Sequence, residues 1–319
     1  MTARPSLALL IPAYNAAAFL PRLLVSAQRQ TVPFDAIWVY DDASSDDTAA
    51  VAAAHGAQVL RGEINRGCSA GKNALANHVD ADWLHFHDAD DELLPNFVAL
   101  ARKWIEGAAP DVVLFDYEYR DNETSQLLAT RHFDDSRLRI DARRYAIHEQ
   151  INAICGLYRR SSFLIAGGYD VDPAILYNED VAFHIRIAFA GLTFAAENEI
   201  SIINYRIGNS MSTSNQLKCS QAHHEVMRRA LARNDARTYA ADIAEKLWLV
   251  AGRLAAFGDW QGADCAVTTA ASVIAAPPTS GSFAFRCVAR FSPRLALRWR
   301  EAHVRRFKPD LREAQENLS

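Results

Sequence analysis

Trp83-Leu84-His85-Phe86-His87-Asp88-Ala89-Asp90-Asp91 is the stretch on which the fold turns, an apolar and aromatic run that ends in three carboxylates within four residues. It reads as a buried strand with an acidic C-terminal tip, and ligand sites of open α/β sheets form outside such strand ends. Carboxylates crowded together repel one another, so a positive group must offset them. A hard divalent cation that bridges to a phosphate does this. Taken alone, the same run is equally readable as an acidic loop facing water.

The neighbouring sequence alternates strand-like and helix-like segments. Residues 6–11 form a short β-type apolar run, and residues 16–30 place Phe19, Leu20, Leu23, Leu24 and Ala27 on one helical face. Residues 37–40 predict a second strand, 46–55 an alanine-rich helix, 58–60 a third strand and 69–79 a helix. With 83–87 as the fourth strand, a helix over 97–105 and a strand over 112–119, the order is βαβαβαβ. That order implies a mixed, mainly parallel sheet covered on both faces by helices.

Residues 121–150 are polar and charged and read as a long connection or an excursion over the site. Order returns with a strand at 154–158, a helix from Ser161, the Gly167-Gly168 turn, a helix through 181–189 and a strand at 200–205. Residues 219–275 are alanine-rich, lack strand signals and predict two or three packed helices. Residues 276–282 (APPTSGS) read as a linker or loop. In the tail, Arg286, Arg290, Arg294 and Arg298 recur every four residues among Phe285, Phe291 and Trp299. Ser292-Pro293 offers an N-cap with proline at the first helical position, which predicts two short helices there.

Composition narrows the function classes. The 319 residues are half hydrophobic, enough for one large core and a smaller appendage. A net charge of −4 gives no global signature of nucleic-acid binding. The five cysteines are scattered and never form a CxxC pair, which argues against a zinc site or a disulfide framework and for a reducing compartment. The opening residues hold too short an apolar run for a secretory signal, and no stretch approaches the ~20 apolar residues of a membrane span. The expectation is a soluble, cytoplasmic protein.

Four polar constellations follow the predicted strands: Ile11-Pro12-Ala13-Tyr14-Asn15, the Asp41 to Thr48 block, Asn65-Arg66-Gly67 running to Lys72-Asn73, and Asp88 to Asp91. Each has a plain reading as a turn or helix cap. Four on the same edge of one sheet are harder to explain by capping alone. Together, P-x-Y-N, D-D-x-S-x-D-x-T, N-x-G…N and D-A-D-D resemble the inverting glycosyltransferases of family 2, which have the GT-A fold. The resemblance covers roughly residues 5–210.

That resemblance implies roles. Pro12 and Ala13 run beside the nucleotide base, Tyr14 and Asn15 shape its pocket, and Asp42 matches the aspartate that hydrogen-bonds the base. Asn65, with Lys72 or Asn73, falls where members place polar or basic groups near the nucleotide. Asp88, beside Ala89, touches the ribose or the metal, and Asp90 ligates the Mn²⁺ or Mg²⁺ that bridges the diphosphate. Asp91 reads as a helix N-cap at least as well as a catalytic group. In Tyr177-Asn178-Glu179-Asp180, Asp180 matches the family's catalytic base, and Glu179 orients it or binds acceptor. Gly167-Gly168-Tyr169-Asp170 matches a loop near the sugar pocket, and Asn209 to Ser212 a loop that closes over the diphosphate. His85 and His87 alternate onto one face of the strand, where packing or acceptor contact is a better reading than metal binding.

The expected organisation is a GT-A catalytic domain over residues 1–215, with a nucleotide-sugar half to about 120 and an acceptor half beyond. A helical C-terminal region over 216–319 completes the chain. The implied donor is a nucleotide sugar, UDP-linked by default, and the acceptor a glycan or lipid-linked glycan. The basic, aromatic tail is either a solvated face or a contact with anionic lipid at the inner face of the plasma membrane. The helices at 219–275 leave an oligomer open. A catalytically silent nucleotide-sugar-binding or scaffold subunit is the competing reading. Nucleotidyltransfer ranks below both, because a glycine-rich loop is missing after the first strand.

Overall fold

The structure is a computed structural model that describes residues 4–107, 110–208, 214–274, 282–310 and 312. The chain divides into two compact units. One comprises Met1–Tyr145, Ile151–Val171 and Arg186–Ile207, the other Ala146–Gln150, Asp172–Ile185 and Gly208–Ser319.

The first unit is built on a nine-stranded mixed sheet in the order β3-β2-β1-β4-β8-β6-β9-β5, with β7 paired to β6. Its strands are β1 (Leu7–Ala13), β2 (Ala36–Asp41), β3 (Gln58–Arg61), β4 (Trp83–Phe86), β5 (Glu92–Leu93), β6 (Val112–Asp121), β7 (Leu127–Arg131), β8 (Gly156–Arg159) and β9 (Phe194–Arg206). The strands β3, β2, β1 and β4 form the parallel part of the expected mixed sheet. Beyond them β8 inserts antiparallel to both β4 and β6, while β6 and β9 are again parallel.

Parallel strands are covered on both faces, and β1 accordingly reads as an unbroken apolar run in which all seven residues are buried. Helix α1 (Leu20–Gln28) turns Leu20, Leu23, Leu24 and Ala27 into the core, matching the expected face. Helices α2 (Thr48–Ala54), α3 (Cys68–His78) and α4 (Phe97–Glu106) follow β2, β3 and β5 in turn. Alternation along β4 sends Phe86 to one side, against Phe163 and Tyr158. It sends His85 to the other, where its ring lies 4.2 Å from that of Phe97. The strand that delivers Asp88 is therefore fixed from both faces.

Residues 121–150, read from the sequence as a long connection or an excursion over the site, carry secondary structure of their own. They contain β7, α5 (Asp135–Ile140) and α6 (Ala142–His148). Helices of six or seven residues span less than two turns, too short for an apolar stripe to register as a period. Asp134 caps α5 by accepting from the Arg137 amide. α7 (Arg160–Ile165) follows β8, and α8 (Glu179–Phe189) leads towards β9.

The second unit is helical: α9 (Gln216–Leu231), α10 (Ala240–Ala256), α11 (Trp260–Val273), α12 (Phe283–Phe291) and α13 (Pro293–Phe307). Small residues let α10 and α11 approach closely, with Ala244, Ala251, Ala263, Ala266 and Ala270 buried. The two short tail helices form as the Ser292-Pro293 signal predicts, and the structure adds a cap for the first at Ser282. Ser282 accepts from the Phe285 amide, and Ser292 accepts from that of Leu295 with Pro293 at the first helical position. Most of the expected linker, 276–281, lies outside the described residues.

Candidate active site

The first two strand-end motifs are tied to each other. Asn15 adopts the left-handed region at φ 49°, as does Ala43 at 59°, so both loops turn sharply off their strands. The Asn15 side-chain oxygen accepts from the Ser45 amide at 2.9 Å, and the Asn15 amide donates to Ser44 Oγ at 3.0 Å. Asp46 takes the Ala17 amide at 3.0 Å. Tyr14 stands between these ties about half exposed, its ring available to a ligand. Pro12 and Ala13 are the last residues of β1 and are buried, which leaves their backbone as the contact they can offer.

Asp42 connects this pair of loops to the third motif. Its carboxylate accepts from the Arg66 amide at 2.9 Å and the Gly67 amide at 2.7 Å. Asn65 Oδ1 also takes the Gly67 amide, at 3.1 Å. Asp42 thus shapes the loop that launches α3, and its remaining lone pairs are what a base could use. Gly71 on the next turn is required by packing, since a Cβ there would lie 2.8 Å from the Tyr40 ring and 3.3 Å from Pro12.

Helix α3 carries the two residues between which the sequence did not choose, and they do different things. Asn73 reaches the Gly168-Tyr169 turn, donating to the Tyr169 carbonyl at 2.8 Å and accepting from the Tyr169 amide at 2.7 Å. Its amide is spent on structure. Lys72 is almost wholly buried, with Nζ 3.9 Å from Asp88 Oδ1 and 4.9 Å from the centre of the Tyr169 ring. A charge this buried persists only opposite a carboxylate or anionic ligand. Lys72, not Asn73, is the basic group beside the acidic strand end.

The three aspartates of D-A-D-D differ in environment. Asp88 is about one-third exposed and faces Lys72. Asp90 has its carboxyl raised to about 6, by burial first and then by the charge of Asp88. Asp91 is fully buried, and its carboxyl is pushed well above the usual carboxylate range by burial and then by the charges of Asp90 and Asp88. Asp91 does not cap a helix, because α4 begins only at Phe97. It instead accepts from the Tyr205 amide at 2.8 Å and from Asn204 Nδ2 at 2.7 Å, pinning the strand end to β9.

His85 and His87 below them are hydrogen-bonded to each other. The Gly156 carbonyl, 3.0 Å from His85 Nδ1, can only accept, so that nitrogen donates. His85 Nε2 is then the acceptor for His87 Nδ1, also 3.0 Å away. Burial lowers the His85 pKa to about 4 and holds that of His87 well below the ordinary imidazole value, so both rings are neutral packing elements.

In the second unit, Glu179 and Asp180 occupy the first turn of α8, where the helix dipole favours negative charge. Tyr177 just before them takes φ 75°, a conformation a tyrosine rarely adopts and one that concentrates at functional turns. Asn178 fixes the turn by donating to the Cys219 carbonyl at 2.7 Å, and His184 Nδ1 lies 2.7 Å from the Asp180 carbonyl. The loop expected at Asn209 to Ser212 lies outside the described residues.

Comparison with known proteins names this arrangement. Residues 8–164, which contain all four strand-end motifs, match the profile of glycosyl transferase family 2. The chain carries a family 2 glycosyltransferase domain. An uncharacterized glycosyltransferase of Haemophilus influenzae is 32% identical over 90 residues, which is 28% of this chain and 31% of that protein. An uncharacterized protein of Mycobacterium tuberculosis is 36% identical over 97 residues, 29% of this chain and 30% of the other. The matches therefore span about a third of these curated relatives.

Among solved structures, residues 1–349 of S. aureus TarS with UDP-GlcNAc superpose with TM-score 0.68 at 16% identity, covering 94% of this chain and 92% of that one. A mannosyltransferase of Pyrobaculum calidifontis, in complex with GDP-Man and Mn²⁺, superposes with TM-score 0.61 at 18% identity, covering 99% and 86%. At these identities the likeness is one of fold. The family 2 domain has the GT-A architecture, a mixed α/β sheet with helices on both faces, followed by C-terminal helices.

A divalent metal fits the family 2 domain only as a shared ligand. Among the described residues no group of three or more His, Cys, Asp or Glu side chains is arranged to hold an ion. Burial, and after it the charge of Asp88, nevertheless raises the Asp90 carboxyl, and a cation shared between the two would offset that crowded charge. Mg²⁺ and Mn²⁺ commonly take one or two carboxylates and complete their shell with phosphate oxygens and water. Sequence reading missed Arg22 and Asn204, which hold this strand end. Both reach it from distant parts of the chain, and no local spacing encodes such a contact.

Proposed function

We propose that this chain transfers a sugar from a nucleoside-diphosphate sugar, UDP-linked by default, to a glycan or lipid-linked glycan, with inversion, in cell-surface polysaccharide or lipopolysaccharide assembly. The observation that carries the reading is the linkage of the strand-end motifs, Asn15 to Ser45, Asp42 to Gly67 and Lys72 to Asp88, along one sheet edge. That TarS and the Pyrobaculum mannosyltransferase are seen with UDP-GlcNAc and GDP-Man supports a nucleotide-sugar donor.

In this reading the base lies against the Pro12-Ala13 backbone and Tyr14, with Asp42 accepting an N–H of the base. Lys72 and the Asp88–Asp90 pair meet the diphosphate end. A Mn²⁺ or Mg²⁺ held by Asp90 and Asp88 would neutralise the leaving nucleoside diphosphate. Asp180 takes the proton of the acceptor hydroxyl as its oxygen attacks the anomeric carbon from the face opposite the departing diphosphate. Glu179 orients Asp180 or the acceptor. One displacement of this kind inverts the anomeric centre.

Thermal-shift measurement against a nucleotide-sugar panel, with and without Mn²⁺, tests the donor half. Metal-dependent stabilisation by one nucleoside diphosphate and its sugar is expected. Stabilisation by a donor without turnover of any glycan acceptor would favour the silent scaffold. Absence of a shift from every donor, in folded protein, would overturn the reading.

A further inference from the structure

The two tail helices are apolar on two sides. One side is ordinary core: Phe285, Ala289, Ala296 and Leu297 are buried, and Phe285 packs 5.9 Å from the Trp248 ring of α10. The other side carries side chains that a solvated helix would not show. Phe291 is 91% exposed, Phe283 76%, Phe307 63% and Leu295 58%. Along α13, Leu295, Trp299, His303 and Phe307 follow at four-residue spacing, which places them on one flank of the helix. His303 and Phe307 touch, with ring centres 4.7 Å apart. Scattered exposed apolar residues are normal, but a run of aromatics on one helix pair marks an interaction surface.

The charges beside them are of one sign. From Phe283 to Lys308 the basic residues are Arg286, Arg290, Arg294, Arg298, Arg300, Arg305, Arg306 and Lys308, and the sole acid is Glu301. Glu301 is buried and already paired with Arg305 and Arg312, and Arg298 is paired with Asp264. Arg290, Arg294, Arg306 and Lys308 make no ion pair among the described residues.

We propose that this outward face of α12 and α13 docks onto an anionic lipid bilayer, its aromatic side chains at the headgroup boundary and its arginines on lipid phosphates. Long basic side chains can lay their stems along apolar surface while their heads reach phosphate, which suits an interfacial helix. A second copy of the chain is a poor occupant. A two-fold contact would set the same unpaired arginines against each other with no free carboxylate in either helix. The inference is independent of the donor reading, since no donor-site residue takes part.

The test is co-sedimentation of the full chain with vesicles of phosphatidylcholine alone and with a third phosphatidylglycerol. Binding to the anionic vesicles should be at least about tenfold tighter and should weaken with salt. The Phe291→Ser/Trp299→Ser pair and the Arg290→Glu/Arg294→Glu pair should each reduce it by about tenfold or more. Unchanged melting temperature and donor-induced thermal shift would show that the variants are folded. No binding by the wild-type chain, or binding that both pairs leave intact, would overturn the proposal. So would conversion of a dimer to a monomer by Phe291→Ser/Trp299→Ser, or preference for nucleic acid over vesicles.

Discussion

Arg22 lies with its guanidinium carbon 3.7 Å over the Tyr205 ring while donating from one arm to the Asp90 carbonyl and from the other to Asn122 Oδ1, at 3.0 Å. A helix that follows the first strand and a residue near the end of the last one thus hold the backbone of the acidic motif in place at Asp90. Tyr205 extends the clamp by donating from its hydroxyl to Glu92 at 2.8 Å. Arg22→Ala removes the stack and both hydrogen bonds, at an expected cost of about 2–3 kcal/mol in stability. Metal-dependent nucleotide binding should weaken about tenfold, and Arg22→Lys should recover little of it, because an ammonium cannot form the fork. Calorimetric titration with a nucleoside diphosphate and Mn²⁺ decides this, and an unchanged Kd in Arg22→Ala would remove Arg22 from the positioning of Asp90.

Asp90 and Asp180 should separate binding from chemistry. Asp90→Ala is expected to abolish transfer and the Mn²⁺-dependent part of the nucleotide-induced thermal shift. Asp180→Asn should abolish transfer while leaving that shift intact. Full activity in either variant would exclude that residue from the mechanism.

Gly168 and Asn73 form a coupled pair. Gly168 takes φ 63°, and a Cβ there would sit 2.3 Å from Asn73 Oδ1. Gly168→Ala should therefore cost about 2–4 kcal/mol, combining backbone strain with the clash. Asn73→Ala loses two hydrogen bonds to Tyr169, about 2 kcal/mol in all. The double variant should be destabilised by clearly less than the sum, since deleting the Asn73 amide removes what the added methyl group would strike. Strict additivity of denaturant midpoints would show that the two do not meet.

Neutral, buried His85 sets a pH dependence. The unfolded chain binds a proton near the ordinary value of 6.5, whereas the folded ring resists it until about 4. Between those values the unfolded state carries more protons, so this group makes stability fall as pH drops, by about 1.4 kcal/mol per unit. Asp90, raised to about 6, acts in the opposite sense over much of the same window. The useful readout is therefore a difference. His85→Gln should flatten the slope of unfolding free energy from pH 6.5 to 4.5 by about 1 kcal/mol per unit relative to wild type. Strongly lowered carboxylates such as Glu225, held near 2 by Arg228, titrate below this window and leave the comparison unaffected. Identical slopes would mean that His85 is accessible to protons in the native state.

The acidic strand end was legible because its chemistry is local. Apolar residues 83–87 bury themselves, and Asp88 to Asp91 follow wherever the strand stops. The roles within that motif were not legible in the same way. Asp91 and Asp90 are neighbours of identical chemistry. Asp91 is the structural one only because Asn204 and Tyr205, over a hundred residues later, bring their N–H groups to it. Lys72 and Asn73 were likewise indistinguishable until the Gly168 turn claimed the amide.

The sequence by itself determined the alternation of β1 to β4 with α1 to α4 (though not the two-residue β5), the positions of the four motifs and the two tail helices. Each of these depends on contacts within a few turns or on strict alternation, and propensity and periodicity encode both. Tertiary structure alone decided that β8 runs antiparallel between β4 and β6. It also decided that Arg22 clamps Asp90, and that Phe291, Leu295 and Trp299 face outward while Phe285 and Leu297 face in. Strand direction and helix facing are set by which surfaces remain to be buried once the core has formed, and that is a property of the whole chain.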